Sequence, residues 1–129
     1  MKANGYHKKE KLKSRTELKA VFSTGKSFSV FPIKVFFIEK ETNDASFPVS
    51  AGVGVSSRHF KKAVDRNRIK RLLREAYRLE KQPLLQAVAS QSKSFAVFFL
   101  YLDKELPDHR LIREKVKEGI EKLIKKTTK

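Results

Sequence analysis

Between Arg66 and Arg78 the apolar positions Ile69, Leu72, Leu73, Ala76 and Tyr77 recur at i, i+3, i+4, i+7 and i+8. That is the spacing of one stripe along a helix. Cations line both flanks of the stripe. Arg66, Lys70, Arg74 and Arg78 step down one side at intervals of four, and Arg68 and Arg71 lie on the other. Elsewhere the period changes to two, the mark of a strand. Ser27 to Glu39 reads as extended, with Ile33, Val35 and Phe37 facing one way and Lys34, Phe36 and Ile38 the other. Val49, Ala51, Val53 and Val55 then alternate with Ser50, Gly52, Gly54 and Ser56. One face of that strand is apolar and the other is almost bare. Phe95 to Tyr101 is a continuous apolar run and reads as a central strand. Helical spacing returns at Ile112, Val116, Ile120 and Leu123, after an opening at Pro107-Asp108.

Turn and cap residues separate these segments. Ser14 and Glu17 have the spacing of a capping box. Leu18, Val21 and Phe22 give a short first helix an apolar edge, and Gly25 ends it. Glu41 to Asp44 is a polar turn. Pro83 stops the central helix, which fades at Glu80 to Gln82, and Leu84 to Ala89 reads as weakly helical or loop. Residues 1–13 and 125–129 read as flexible basic tails on a single domain spanning 1–129.

Side by side, the strands predict a sheet with one packed and one shallow face. The shallow face carries Lys34 and Phe36 beside a glycine and serine floor. A cation, an aromatic surface and close backbone suit single-stranded nucleic acid, whose bases stack on aromatic rings. The other reading is that Phe36 packs under the first helix and the glycines only permit tight packing.

Charge narrows the choice of partner. Thirty Lys and Arg against 14 Asp and Glu leave the 129-residue chain at +16. Such an excess implies a polyanion: RNA, DNA or an acidic membrane surface. Ten Phe and a 40% hydrophobic fraction argue for a folded core. With no cysteine, disulfides and cysteine-based zinc sites are excluded. No apolar run approaches the ~20 residues that span a bilayer, and the first residues lack a signal-peptide core. A cytoplasmic protein is expected.

The central helix then looks built to meet an external anion, since only Asp65 and Glu75 offset its cations. Asn67 is a poor helix former placed roughly opposite the apolar stripe. Its amide can donate to a phosphate or accept from a ribose hydroxyl. Arg66 and Arg68 point in different directions and suit two separate backbone segments. Arg58, Lys61 and Lys62 precede the helix, whose free N–H groups also favour anions. No catalytic constellation is present. His7, His59 and His109 have no metal-ligand spacing, and no nucleophile motif or phosphate-binding glycine loop occurs.

The hexapeptide Arg66-Asn67-Arg68-Ile69-Lys70-Arg71, directly after Val49 to Ser56 in a basic chain of this length, resembles the signature helix of the protein component of bacterial ribonuclease P. The likeness runs from about Lys11 to Ile124. It implies an α+β fold, a two-layer sandwich in the order α-β-β-β-α-β-α with a left-handed βαβ crossover. It also implies a non-catalytic subunit of a ribonucleoprotein endoribonuclease that forms the mature tRNA 5′ end. In that family the RNA subunit is the catalyst and uses magnesium ions. The expected partners are this catalytic RNA and precursor tRNA, with no membrane and no obligate protein partner. Arg66, Asn67, Arg68, Lys70, Arg71 and Arg74 would meet the catalytic RNA. Phe22, Lys34, Phe36, Arg58 and Lys62 would hold the single-stranded 5′ leader. No catalytic or metal-binding side chain is expected in the protein. Leu18 and Ser57 depart from residues the family often has, a second Phe and a second basic residue.

Two other functions use the same basic helix. A ribosomal or general structured-RNA-binding protein would copurify with ribosomal RNA. A DNA-binding regulator would place the helix in the major groove, but such helices normally follow another helix through a short turn, and here a strand precedes it.

Overall fold

The computed structural model describes residues 19, 21–23, 25–39, 49–56, 58–90 and 94–127. Four strands form one sheet: β1 (Lys26–Val30), β2 (Ile33–Glu39), β3 (Val49–Val55) and β4 (Phe95–Tyr101). Their spatial order is β1-β2-β4-β3. β2 is antiparallel to both its neighbours, and β3 runs parallel to β4. The extended run from Ser27 to Glu39 is therefore two strands. Pro32 has no N–H to give to a ladder, and the chain turns at Phe31-Pro32 so that Val30 lies opposite Ile33. The Pro32 carbonyl accepts instead from the Leu102 N–H at 2.8 Å, tying the hairpin tip to the end of β4.

Parallel neighbours need a long crossover. Here it contains a basic helix, Ala63–Glu80, and a short helix, Gln82–Ala89. Leu84 to Ala89, read as weakly helical or loop, is thus a regular helix. Pro83 stands in its first turn, where a missing N–H leaves no bond unmade. It closes one helix and opens the next. The C-terminal helix is His109–Thr127. The Leu111 N–H donates to Asp108 Oδ1 at 2.8 Å, so Asp108 caps it. Lys125 to Thr127 belong to this helix, and Thr127 is buried with its hydroxyl on the Leu123 carbonyl at 2.7 Å. A flexible tail starting at Lys125 is therefore corrected. Residues 1–13, the Ser14 cap, Leu18, the turn at Glu41 to Asp44, and Ser57 lie outside the described residues.

The core lies between the sheet and the helices. Ile33, Val35 and Phe37 of β2 and Phe95, Val97, Phe99 and Tyr101 of β4 supply one side. Ile69, Leu73, Ala76 and Tyr77 of the basic helix and Ile112, Val116, Ile120 and Leu123 of the C-terminal helix supply the other. Period two meets period 3.6 across the interface, and the result is the expected α+β sandwich. On the opposite face a smaller apolar cluster joins Val21 to Ala96, with Phe36, Ile38 and Phe98 packed around it. Val21, Phe22 and Ser23 are helical, so the first helical segment rests on that face. Gly25 follows it for reasons of space. A Cβ there would collide with the Val21 carbonyl oxygen and lie 2.8 Å from that of Phe37.

Candidate nucleic-acid interface

The basic helix is held by its apolar stripe, which leaves the rest of its circumference to solvent. Asn67, Arg68, Arg71 and Arg74 are exposed, and Lys70 is half-buried. Among the described residues no carboxylate pairs with Arg68, Lys70, Arg71 or Arg74; the ion pairs there are Glu75 with Arg78, Glu80 with Arg113 at 2.7 Å and Glu118 with Lys115 at 3.8 Å. The Arg78 hydrogen bond holds the Glu75 carboxyl below its ordinary value. The same contact raises the Arg78 guanidinium above its own. Glu75 thus occupies one cation and leaves four unpaired. Guanidinium groups suit phosphate oxygens through paired N–H donors.

Arg66 behaves differently. Its Nη1 donates to the carbonyl oxygens of Phe60 at 2.8 Å and Lys61 at 2.7 Å. The helix has no side-chain cap at Lys62. Arg66 therefore fastens the segment that leads into the helix, with Phe60 buried and its ring 6.2 Å from that of Tyr101. One nitrogen of the Arg66 guanidinium is thus occupied by the protein's own backbone. Arg58 and Lys62 are exposed on the connection between β3 and the helix.

The second surface lies across the sheet. Phe22, 48% exposed, meets the ring of Phe36 edge-on with centroids 4.8 Å apart and that of Phe98 at 5.0 Å. Phe36 and Phe98 are directly opposite each other on β2 and β4. Lys34 Nζ stands 5.2 Å from the Phe36 centroid, over its face. The glycine floor is less open than its sequence suggests. Gly54 is buried, and a Cβ on it would sit 2.6 Å from Cζ of Phe98. Ser50 is also buried. So the shallow face is an aromatic shelf fitted onto bare backbone, open chiefly at Phe22 and beside Lys34. Phe36 packs near the first helical segment, as one of the two readings has it, and still keeps exposed surface.

Phe22, Lys34 and Phe36 are thus brought together, and Phe98 joins them. Its place was hidden because a continuous apolar run shows no parity. The signal is the register, in which Phe98 shares a face with Phe36, and register is not local. His59 and His109 are exposed, and His7 lies outside the described residues. Among the described residues no three His, Asp or Glu gather as metal ligands, and no helix is long and apolar enough to cross a membrane.

The sequence profile of the Ribonuclease P family matches residues 6–127. A ribonuclease P protein component from Porphyromonas gingivalis is 38% identical over 117 residues, covering 90% of this chain and 84% of that one. One from Caldanaerobacter subterraneus is 36% identical over 121 residues, covering 91% and 88%. Among solved structures, the RNase P protein of Staphylococcus aureus superposes with a TM-score of 0.67 at 19% identity, covering 93% of this chain and 98% of that one. The RNase P protein of Thermotoga maritima gives 0.66 at 24% identity, covering 87% and 96%. At those identities the two structures speak for the fold.

Proposed function

Because the chain belongs to the ribonuclease P protein family, we propose that it is the RNA-binding protein subunit of that ribonucleoprotein, acting on precursor tRNA in the cytoplasm. In this reading the basic helix docks on the catalytic RNA through Asn67, Arg68, Lys70, Arg71 and Arg74, with the free edge of Arg66. The aromatic shelf of Phe22, Phe36 and Phe98 holds the single-stranded 5′ leader, with Lys34 beside it and Arg58 and Lys62 at the approach to the helix. The protein breaks no bond. Hydrolysis of the phosphodiester is assigned to the RNA and its magnesium ions, and the protein contributes affinity and position.

The observation that carries this reading is the run of four helix cations without a carboxylate partner, Arg68, Lys70, Arg71 and Arg74. A folded protein gains nothing from leaving them so close together. An RNA backbone supplies the missing anions, and the released counterions add to the affinity. A separate aromatic shelf suits unpaired bases. The test is reconstitution with a bacterial ribonuclease P RNA. The protein alone should leave precursor tRNA intact. Added to the RNA, it should lower the magnesium concentration needed for cleavage and tighten precursor over mature tRNA. Cleavage by the purified protein alone would overturn the assignment. Equal affinity of the complex for precursor and mature tRNA would overturn the leader shelf.

A further inference from the structure

Among the described residues β1 is an edge strand, and no other strand pairs with its outer side. Along it a groove of about 420 Å³ is lined by Lys26, Ser27, Phe37 and Lys126. Successive residues of a strand face opposite sides of a sheet. Ser27 lies directly opposite Phe36, and Lys26 directly opposite Phe37. Phe36 is on the shelf and Phe37 is in the core under the helices. A groove that touches both Ser27 and Lys26 therefore wraps around the edge, from the aromatic shelf towards the helical layer. On the far side the end of the C-terminal helix supplies Lys126. Its ammonium stands 5.7 Å from the centroid of the Phe28 ring, an attraction that steadies it beside the groove. Lys26, Lys125 and Lys126 are all exposed.

We propose that this groove is an exit track for the leader: nucleotides upstream of those on the shelf cross β1 at Ser27 and lay their phosphates against Lys26 and Lys126. The inference rests on the shelf being the leader site. It adds a second contact, electrostatic in character, with the partner fixed as single-stranded RNA continuous with the shelf. Continuity picks the strand already bound at Phe36, and two ammonium groups, with no carboxylate among the described lining residues, select its phosphates. Because the contacts reach only backbone, the track reads no sequence.

The experiment uses reconstituted holoenzyme and precursor tRNAs whose all-uridine leaders grow one nucleotide at a time. Dissociation constants are compared for the wild-type protein and the Lys26→Gln, Lys126→Gln double variant, which removes both charges and keeps a polar side chain at each position. Wild type should gain affinity in two stages, first as the leader fills the shelf and again as it passes β1. The double variant should keep the first gain and lose the second. Its salt dependence with the longest leader should be shallower by about 1.4 in log affinity against log salt, two phosphates at ~0.7 each. No second gain in wild type overturns the track, as does a second gain that survives in the variant. An equal loss with short and long leaders also overturns it. Phe36→Leu, measured on the shortest bound leader, reports on the shelf alone, so the two readings fail separately.

Discussion

Replacing Phe36 separates packing from recognition, provided that two substitutions are compared. Deleting a fully buried Phe side chain costs about 3–5 kcal/mol. Phe36 is only partly buried, so Phe36→Ala should cost about half of that, ~2 kcal/mol. Phe36→Leu keeps most of the volume against Val21, Ile38 and Phe98. It loses the edge-on contact with Phe22 at 4.8 Å and the ring face under Lys34 at 5.2 Å. An aromatic pair is worth about 0.5–1.5 kcal/mol beyond area, so the leucine variant should lose ~1 kcal/mol and a few degrees of melting temperature. Stacking of a base adds ~1–3 kcal/mol that leucine cannot supply. Precursor tRNA should therefore bind both variants about 5-fold to 150-fold more weakly, with mature tRNA unchanged. Thermal melting of the protein and precursor and mature dissociation constants of the holoenzyme give all the numbers needed. If Phe36→Leu bound precursor like wild type, Phe36 would be a packing residue and the shelf would not stack bases.

Gly54→Ala places a methyl group 2.6 Å from Phe98 Cζ. The ring must swing away, and precursor affinity should fall with no change in charge and a stability loss of ~1 kcal/mol by denaturant titration. Arg66→Ala removes two hydrogen bonds to backbone carbonyls and should cost ~1–2 kcal/mol of stability. Arg68→Ala, exposed and unbonded among the described residues, should stay within about 0.5 kcal/mol; both should weaken assembly with the RNA, and equal stabilities would refute the fastening role of Arg66. The Tyr101 hydroxyl donates to the Glu105 carbonyl at 2.6 Å. Burial, aided by the charges of Asp103 and Glu105, pushes its pKa up to about 12. The folded value lies above the unfolded one of ~10, so its contribution is full below pH ~10 and is lost as pH rises through about 12. Absorbance titration of wild type against Tyr101→Phe should show this late-ionising group, and a midpoint near 10 would refute the buried hydroxyl.

Local pattern determined much of this protein. The stripe of Ile69, Leu73, Ala76 and Tyr77 is buried as its spacing requires, and Ile112, Val116, Ile120 and Leu123 follow suit. Lys34 and Phe36 share the face opposite the main core because strand parity allows nothing else. The cation surplus of the helix is likewise a count along the chain, and the hexapeptide from Arg66 to Arg71 pointed to the family. Other features depend on which segments meet. The turn at Pro32 hid within one extended run, and the helix after Pro83 was masked by a residue that both stops and starts helices. Phe98 joined the shelf only once β4 lay beside β2, and Gly54 became its seat only once β3 lay beside β4. The Arg66 guanidinium turned inward because folding brought two carbonyls within reach. The groove at β1 needs Lys26 and Lys126 side by side, although they lie far apart along the chain. Periodicity is written in neighbours along the chain, whereas register and long-range contact exist only after the sheet has closed.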